Sequence, residues 1–281
     1  MNADLWPILE KLDKALLAIK WARRKREIAA LERKFEPEVA AMFVAQGAAF
    51  VGALDKAGSL PSTWNDATWL PALGNAQQQT MAGFITMWRE VAGNALLAGA
   101  ELTAEELGVK LVQEAQPIEG ALGIKFGLRN PRAVDYLLRV GADLVAGIDE
   151  TTKLAIRRIV VQAASEGWSY DRTAKAIIEQ FAEFAEGRPQ EHIESRAHGI
   201  AVTEIGNAYT AGNYAVGEEL RDAGLTMQKA WSTMGDEKLC DLCQGNEAEG
   251  WIPFDDPFFS GDARPLAHPY CRCDILMKAV H

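Results

Sequence analysis

The residues best suited to chemistry are Cys240-Asp241-Leu242-Cys243 and, further on, His268-Pro269-Tyr270-Cys271-Arg272-Cys273. A C-x-x-C turn lets two thiolates converge on one tetrahedral ion, and a second pair from a remote segment completes the shell. Five donors, Cys240, Cys243, His268, Cys271 and Cys273, compete for four positions. In an extended Cys271-Arg272-Cys273 both sulfurs face the same way, which permits an all-cysteine site. His268 with Cys271 is the other natural pair, because Pro269 bends the chain between them. The set Cys240, Cys243, His268 and Cys271 is placed slightly ahead of the four-cysteine set. A closed shell of this kind is structural, with no open position for water or substrate, and Zn²⁺ is the expected ion.

Other chemistry is weighed against this. The chain carries four cysteines and a start without the layout of a secretory signal, which favours metal over disulfides. His192-Ile193-Glu194 followed by Cys240-Asp241-Leu242-Cys243 imitates the H-x-E…P-C-x-x-C signature of zinc deaminases. Leu239 stands where that signature has proline, and the assignment leaves His268, Cys271 and Cys273 without a role. The pattern shows no G-x-S-x-G, P-loop or G-x-G-x-x-G. Asp255 and Asp256, between Phe254 and Phe258-Phe259, read better as a turn than as paired catalytic acids. Thr203, Glu204, Asn207 and Asn213 recur about one turn apart, as a binding face for the C-terminal unit or as a solvated or internally bonded strip. Trp64, Trp69 and Trp88 read as core or interface anchors.

These donors have to be positioned by a chain that is mainly helical. Apolar residues at three- and four-residue steps (Leu5, Leu9, Leu12, Leu16, Ile19, Ala22) predict a helix over 1–34. A second is expected over about 39–55 after Glu36-Pro37, followed by loops at Gly58–Ser62 and Trp69–Pro71. Further helices are expected over 77–98, from Thr103 to about Val112, over 131–141, from about 150 to Gly167, from Ser169 to Gly187-Arg188-Pro189, and over about 191–223. Residues 115–132 read as an irregular connector. Beyond Gly224 the period changes to short strands at Met227–Thr233, Gly250–Phe254 and Cys271–Met277. That unit lacks the apolar mass to hold a core alone, so a metal staple fits its composition. The expected fold is mainly α (α+β overall): a helical N-terminal region over 1–120, a helical bundle over 121–224, and a small zinc-stapled β unit over 225–281.

Composition limits the partners. Net charge is −10, so a nucleic-acid-coating surface is not expected and any DNA contact has to be local. Residues 1–34 carry nine basic against five acidic side chains, so the excess of positive charge sits at the N-terminus. It reads as a segment meeting an acidic partner or as a solvated helix face. No run of eighteen apolar residues occurs, and a soluble, cytosolic protein with no membrane partner is expected.

Several motifs in order resemble the phage Mu F-like minor head protein family. They are Asn130-Pro131-Arg132-Ala133 with Tyr136-Leu137, Gly147-Ile148-Asp149-Glu150-Thr151-Thr152, Ile200-Ala201-Val202-Thr203-Glu204 with Asn207-Ala208-Tyr209-Thr210-Ala211-Gly212, Trp231-Ser232-Thr233, Gly250-Trp251-Ile252-Pro253, and the two cysteine segments. The resemblance covers about residues 125–281. Val202 departs from the family's common arginine and Thr210 from its frequent asparagine. The resemblance implies a non-catalytic minor capsid and head morphogenesis protein of a tailed bacteriophage. Its implied partners are the portal protein, the major capsid or scaffolding protein and packaged DNA, with oligomers on the portal vertex. Its implied location is the virion interior near the portal, with host cytoplasm during assembly. A free zinc-ribbon nucleic-acid-binding protein and a zinc hydrolase or deaminase are the alternatives.

Overall fold

A computed structural model describes residues 6–57, 64–112, 123–185, 196–233 and 239–280. The chain is mainly α with a small β unit at its C-terminal end, as the sequence predicts. Six helices occur among the described residues: α1 (Trp6–Ala57), α2 (Asp66–Glu106), α3 (Pro131–Glu166), α4 (Tyr170–Ala185), α5 (Arg196–Asp222) and α6 (Asp241–Ala248). Strands β1 (Lys110–Val112) and β2 (Gly123–Lys125) pair in parallel. Strands β3 (Thr226–Ser232), β4 (Ile252–Pro253) and β5 (Asp274–Val280) form an antiparallel sheet in the order β4-β3-β5.

Helix boundaries differ from the sequence expectation wherever burial outweighs a local breaker. Helix α1 runs through Pro37, because Phe35 and Val39 on either side are fully buried. Their packing offsets a proline cost of about 3 kcal/mol. In place of the loop expected at Trp69–Pro71, α2 begins at Asp66. Asn65 caps it, its Oδ1 accepting from Ala67 N at 3.0 Å and from the Thr68 hydroxyl. The helix then continues without a break to Glu106, where two helices were expected. Likewise α3 is continuous where two helices were expected. Asn130 caps it, Pro131 opens it, and Gly167 closes it at φ 65°. The β1/β2 pair was not foreseen. Leu5, Gly58–Ser62, Gly187–Pro189 and 115–122 of the expected connector lie outside the described residues.

The phase of the N-terminal helix also differs. Ile19, expected on the buried face, is 66 % exposed, whereas Arg24 is buried. Farther along α1, Phe35, Val39, Phe43, Phe50 and Leu54 are buried. By length and composition alone, Ala18–Lys56 could cross a membrane; within it Phe35, Val39, Phe43, Phe50 and Leu54 are buried, while Ile19 and Val44 are exposed.

The chain forms two compact units, each assembled from separate stretches. Unit 1 comprises Met1–Arg33, Ala95–Phe126 and Ile205–His281; unit 2 comprises Lys34–Asn94 and Gly127–Glu204. In unit 2, Trp64, Trp69, Trp88, Phe84, Ile156, Val160, Ile177 and Phe181 are buried, so the three tryptophans serve the core. Unit 1 holds all five candidate donors. Within it α2 and α5 cross in backbone contact. A methyl group on Gly212 would collide with the Leu96 carbonyl, and one on Gly99 with the Tyr209 carbonyl.

Candidate metal centre

The first donor pair is set by the start of α6. Cys240 caps this helix in extended conformation (φ −85°, ψ 156°), and its Sγ accepts from Cys243 N at 3.4 Å. Helix geometry thus turns Cys243 back beside Cys240, and the positive end of the helix favours thiolate character there. The carboxylate of Glu247 ties α6 to the end of β3, accepting from Thr233 N at 2.9 Å and Thr233 Oγ1 at 2.7 Å.

The second pair comes from a turn before β5. Cys271 N donates to His268 O at 3.2 Å, and Tyr270 adopts φ 62°. This closes a four-residue turn from His268 to Cys271 with Pro269 at its second position, so the chain bends there as the sequence suggests. His268 Nδ1 lies 2.7 Å from the Pro269 carbonyl, which fixes the proton on Nδ1 and leaves Nε2 as the donor atom. That Nε2 is 3.2 Å from Cys240 Sγ and 3.4 Å from Cys243 Sγ.

All five expected donors come together around Cys243. One group is Cys240, Cys243 and His268; the other is Cys243, Cys271 and Cys273, and within each the donor atoms lie within 4.8 Å of one another. Cys243 and Cys271 sulfurs are 3.7 Å apart. A tetrahedron with metal–sulfur bonds of about 2.3 Å has edges of about 3.8 Å, and its mixed sulfur–nitrogen edges are about 3.6 Å. The spacings within each group are close to such edges, so the groups could hold a metal ion, and their soft sulfur and imidazole donors suit a zinc-type ion. Cys271 is additionally hydrogen-bonded to Cys273.

Surroundings and charge point the same way. Cys243, Cys271 and Cys273 are buried with Trp231, Phe258 and Ile275, and the Trp231 and Phe258 rings meet edge-on at 5.0 Å. The hydrogen bond from Cys273, ahead of the opposing burial, brings the Cys271 thiol down to about 5. Burial, then the contact with Cys240, pushes Cys243 up to about 12. The Cys271 contact and then burial also push Cys273 upward. For His268 burial works downward, but the Pro269 carbonyl and the neighbouring sulfurs outweigh it and raise the ring. The Cys240 thiol is also lowered: burial opposes this, but the Cys243 contacts and His268 outweigh it, so negative charge is favoured at Cys240 and Cys271 and resisted at Cys243 and Cys273. A dication reverses that resistance, since each further thiolate gains a doubly positive neighbour.

Other expected residues fall elsewhere. His192 and Glu194 of the deaminase-type pattern lie outside the described residues. Asp255 and Asp256 are exposed in a turn, and Asp255 pairs with Arg221 at 2.5 Å. Phe254 and Phe258 are buried, whereas Phe259 is 68 % exposed. On the polar strip of α5, Asn213 bonds within its own chain through its side chain and Asn207 through its backbone carbonyl, and Thr210 beside them does the same. Thr210 Oγ1 donates to Pro265 O at 2.8 Å, Asn207 O accepts from Arg264, and Asn213 Nδ2 donates to Asp274 Oδ1 at 2.9 Å. Glu204 is nearly buried, and its Oε2 has no hydrogen-bond partner.

Three buried residues escaped the sequence reading. Arg24 was submerged in a basic run and Asp274 stood alone after the cysteines. Lys229, on a short strand, donates to Ala263 O at 2.7 Å and lies 4.9 Å from the Phe258 ring centre. The weak sequence signal for Lys229 is that it shares the face of Met227 and Trp231 in β3, two positions from each.

Neither the curated proteins nor the solved structures include a match to this chain. The family model described as Phage Mu protein F like protein matches residues 155–276, which begins later than the resemblance read from Asn130 onward. That stretch spans the end of α3, all of α4, α5 and α6, strands β3 and β4, the first residues of β5, and every one of the five donors. The match over this stretch supports a phage Mu F-like head morphogenesis protein, as the ordered motifs suggest.

Proposed function

We propose that the protein is a non-catalytic minor capsid protein that acts at the portal vertex of a tailed phage during head assembly and DNA packaging. The observation that carries this reading is the family match over residues 155–276, which ends just beyond the Cys/His cluster. Its partners on this reading are the portal protein and, in the forming head, the major capsid or scaffolding protein and packaged DNA. The exposed Lys25, Arg26 and Arg33 of α1 supply a basic face for an acidic portal surface or for DNA. The N-terminal region over 1–120 is the portal- or DNA-facing part in this proposal. Residues 121–224 form the bundle, and 225–281 form the metal-stapled unit.

The ion proposed for the cluster is a structural Zn²⁺ held by Cys240, Cys243, His268 and Cys271. Donor spacings along the Cys240–His268, Cys243–His268 and Cys243–Cys271 edges support this set. Cys273 then stands beside the shell as a hydrogen-bonded neighbour of Cys271. When bound, the ion supplies folding free energy and cross-links α6 to the turn before β5.

Co-expression with a phage portal protein, followed by co-purification, tests the assembly role. Stable association, weakened by charge reversal at Lys25 and Arg26, is the expected result. A chain that neither binds portal nor copurifies with assembled heads overturns it.

A further inference from the structure

Arg24 projects from α1 into the interior of unit 1, and its side chain is 4 % exposed. One guanidinium nitrogen donates to Arg272 O and another to Cys273 O, each at 2.9 Å. Nε lies 3.2 Å from Asp274 Oδ2, within ion-pair range but off the hydrogen-bonding direction. The Trp21 and Tyr209 rings flank the guanidinium, with centres at 5.0 Å and 5.5 Å. The carboxylate it faces is itself held, since Asp274 Oδ1 accepts from Asn213 Nδ2 and Ile275 N at 2.9 Å each.

The two carbonyls matter because of where they sit. The β3/β5 ladder begins with the pair Ser232↔Asp274, so Arg272 and Cys273 lie before its first rung. Cys271 and Cys273 therefore take their backbone position from something other than the sheet. A planar guanidinium fork gripping two successive carbonyls and the following carboxylate does what the ladder does not, and a lysine could not reproduce it.

We propose that Arg24 is a positioning residue for the metal centre, fixing the Cys271–Cys273 backbone and thereby coupling the seating of α1 residues 18–33 to metal retention. This rests on the reading of the Cys/His cluster as a metal centre. Coupling of this sort is reciprocal: what α1 does for the ion, the ion does for α1.

The test uses the full chain loaded with zinc and follows zinc transfer to a chromogenic chelator. The double variant Arg24→Met with Asp274→Asn removes both members of the buried pair, so no lone charge remains inside. It is expected to release zinc at least tenfold faster than wild type. Arg23→Met, whose side chain pairs on the surface with Glu27 and Glu105, should release it within twofold of wild type. In the wild type, stripping zinc should speed hydrogen exchange across residues 18–33 at least tenfold, a reading that stands even if the double variant does not fold. A zinc-loaded wild type whose exchange at 18–33 ignores the metal, or a folded double variant with unchanged release, overturns this proposal alone. A wild type without stoichiometric zinc overturns the metal reading and this proposal with it.

Discussion

Asn213, deep in α5, donates its side-chain amide to Asp274 at the first rung of β5, at 2.9 Å, with both residues buried. At Asn213 the polar strip of the long helix is therefore an internal contact that holds the helix to the strand beside the cysteines. Deleting one partner of a buried charge-assisted hydrogen bond leaves the carboxylate short of a donor. Asn213→Ala should cost about 2–3 kcal/mol. Asn207→Ala, at a half-buried position where the backbone carbonyl makes the contact, should cost under about 1 kcal/mol. Urea midpoints of the two variants compare the losses directly.

The crossing of α2 and α5 tolerates no side chain. Because the backbone of α2 occupies the place of a Gly212 Cβ, Gly212→Ala has to push two helices apart, whereas a flexible side chain could have swung aside. Overpacking against backbone should cost 3 kcal/mol or more, about the upper end of such changes. Gly99→Ala meets the Tyr209 carbonyl and should behave alike, while Gly52→Ala and Gly83→Ala enter open space in helices and should be neutral or mildly stabilising. Thermal unfolding by circular dichroism ranks all four. Equal melting temperatures would falsify the crossing.

Much of this was legible beforehand, and the exceptions share a cause. The two cysteine segments were readable because ligand chemistry depends on local spacing: Cys240 and Cys243 share one helical turn, and His268 and Cys271 share another tight turn. The strands of the C-terminal sheet were placed within a few residues, since Met227–Thr233 is short and rich in aromatic and β-branched residues and Cys271–Met277 alternates. Pro37 misled because a breaker is visible in sequence, whereas the burial of Phe35 and Val39 around it is not. Arg24 was hidden for the opposite reason. Nothing in a run of Arg23-Arg24-Lys25-Arg26 shows that one guanidinium turns inward to Asp274, some 250 positions away, while Lys25 and Arg26 face water. Local periodicity reports faces, but not the identity of a partner brought in by the fold.

Glu204 gives the fold a predictable pH dependence. Burial alone raises its carboxyl to about 7, from an ordinary 4.5. The proton is favoured in the native state, so this stabilisation is complete below about pH 4.5 and is lost as pH rises through 7. The full linkage is about 3 kcal/mol at 1.36 kcal/mol per unit. Glu204→Gln should therefore be more stable than wild type by about 1–3 kcal/mol at pH 8, with the gap closing toward pH 4.5. Denaturant titrations at pH 4.5, 6 and 8 measure this. A gap that widens toward acid would show that Glu204 ionises against an unseen positive partner.

The cysteines themselves separate shell from neighbour. If Cys240, Cys243, His268 and Cys271 hold the ion, Cys240→Ser and Cys271→Ser each remove a thiolate from a closed tetrahedron. Zinc stoichiometry should fall well below one, and the C-terminal segment should become open to protease. Cys273 contributes from outside the shell through its hydrogen bond to Cys271. Cys273→Ser should retain one zinc per chain while weakening affinity by about 10–100-fold, the scale on which outer partners tune metal ligands. Cobalt substitution gives an independent reading, because three thiolates and one imidazole produce a different charge-transfer spectrum from four thiolates. Loss of the ion from Cys273→Ser together with full retention by His268→Ala would reverse the assignment in favour of the four-cysteine site, since only then is the imidazole dispensable and the last sulfur is not.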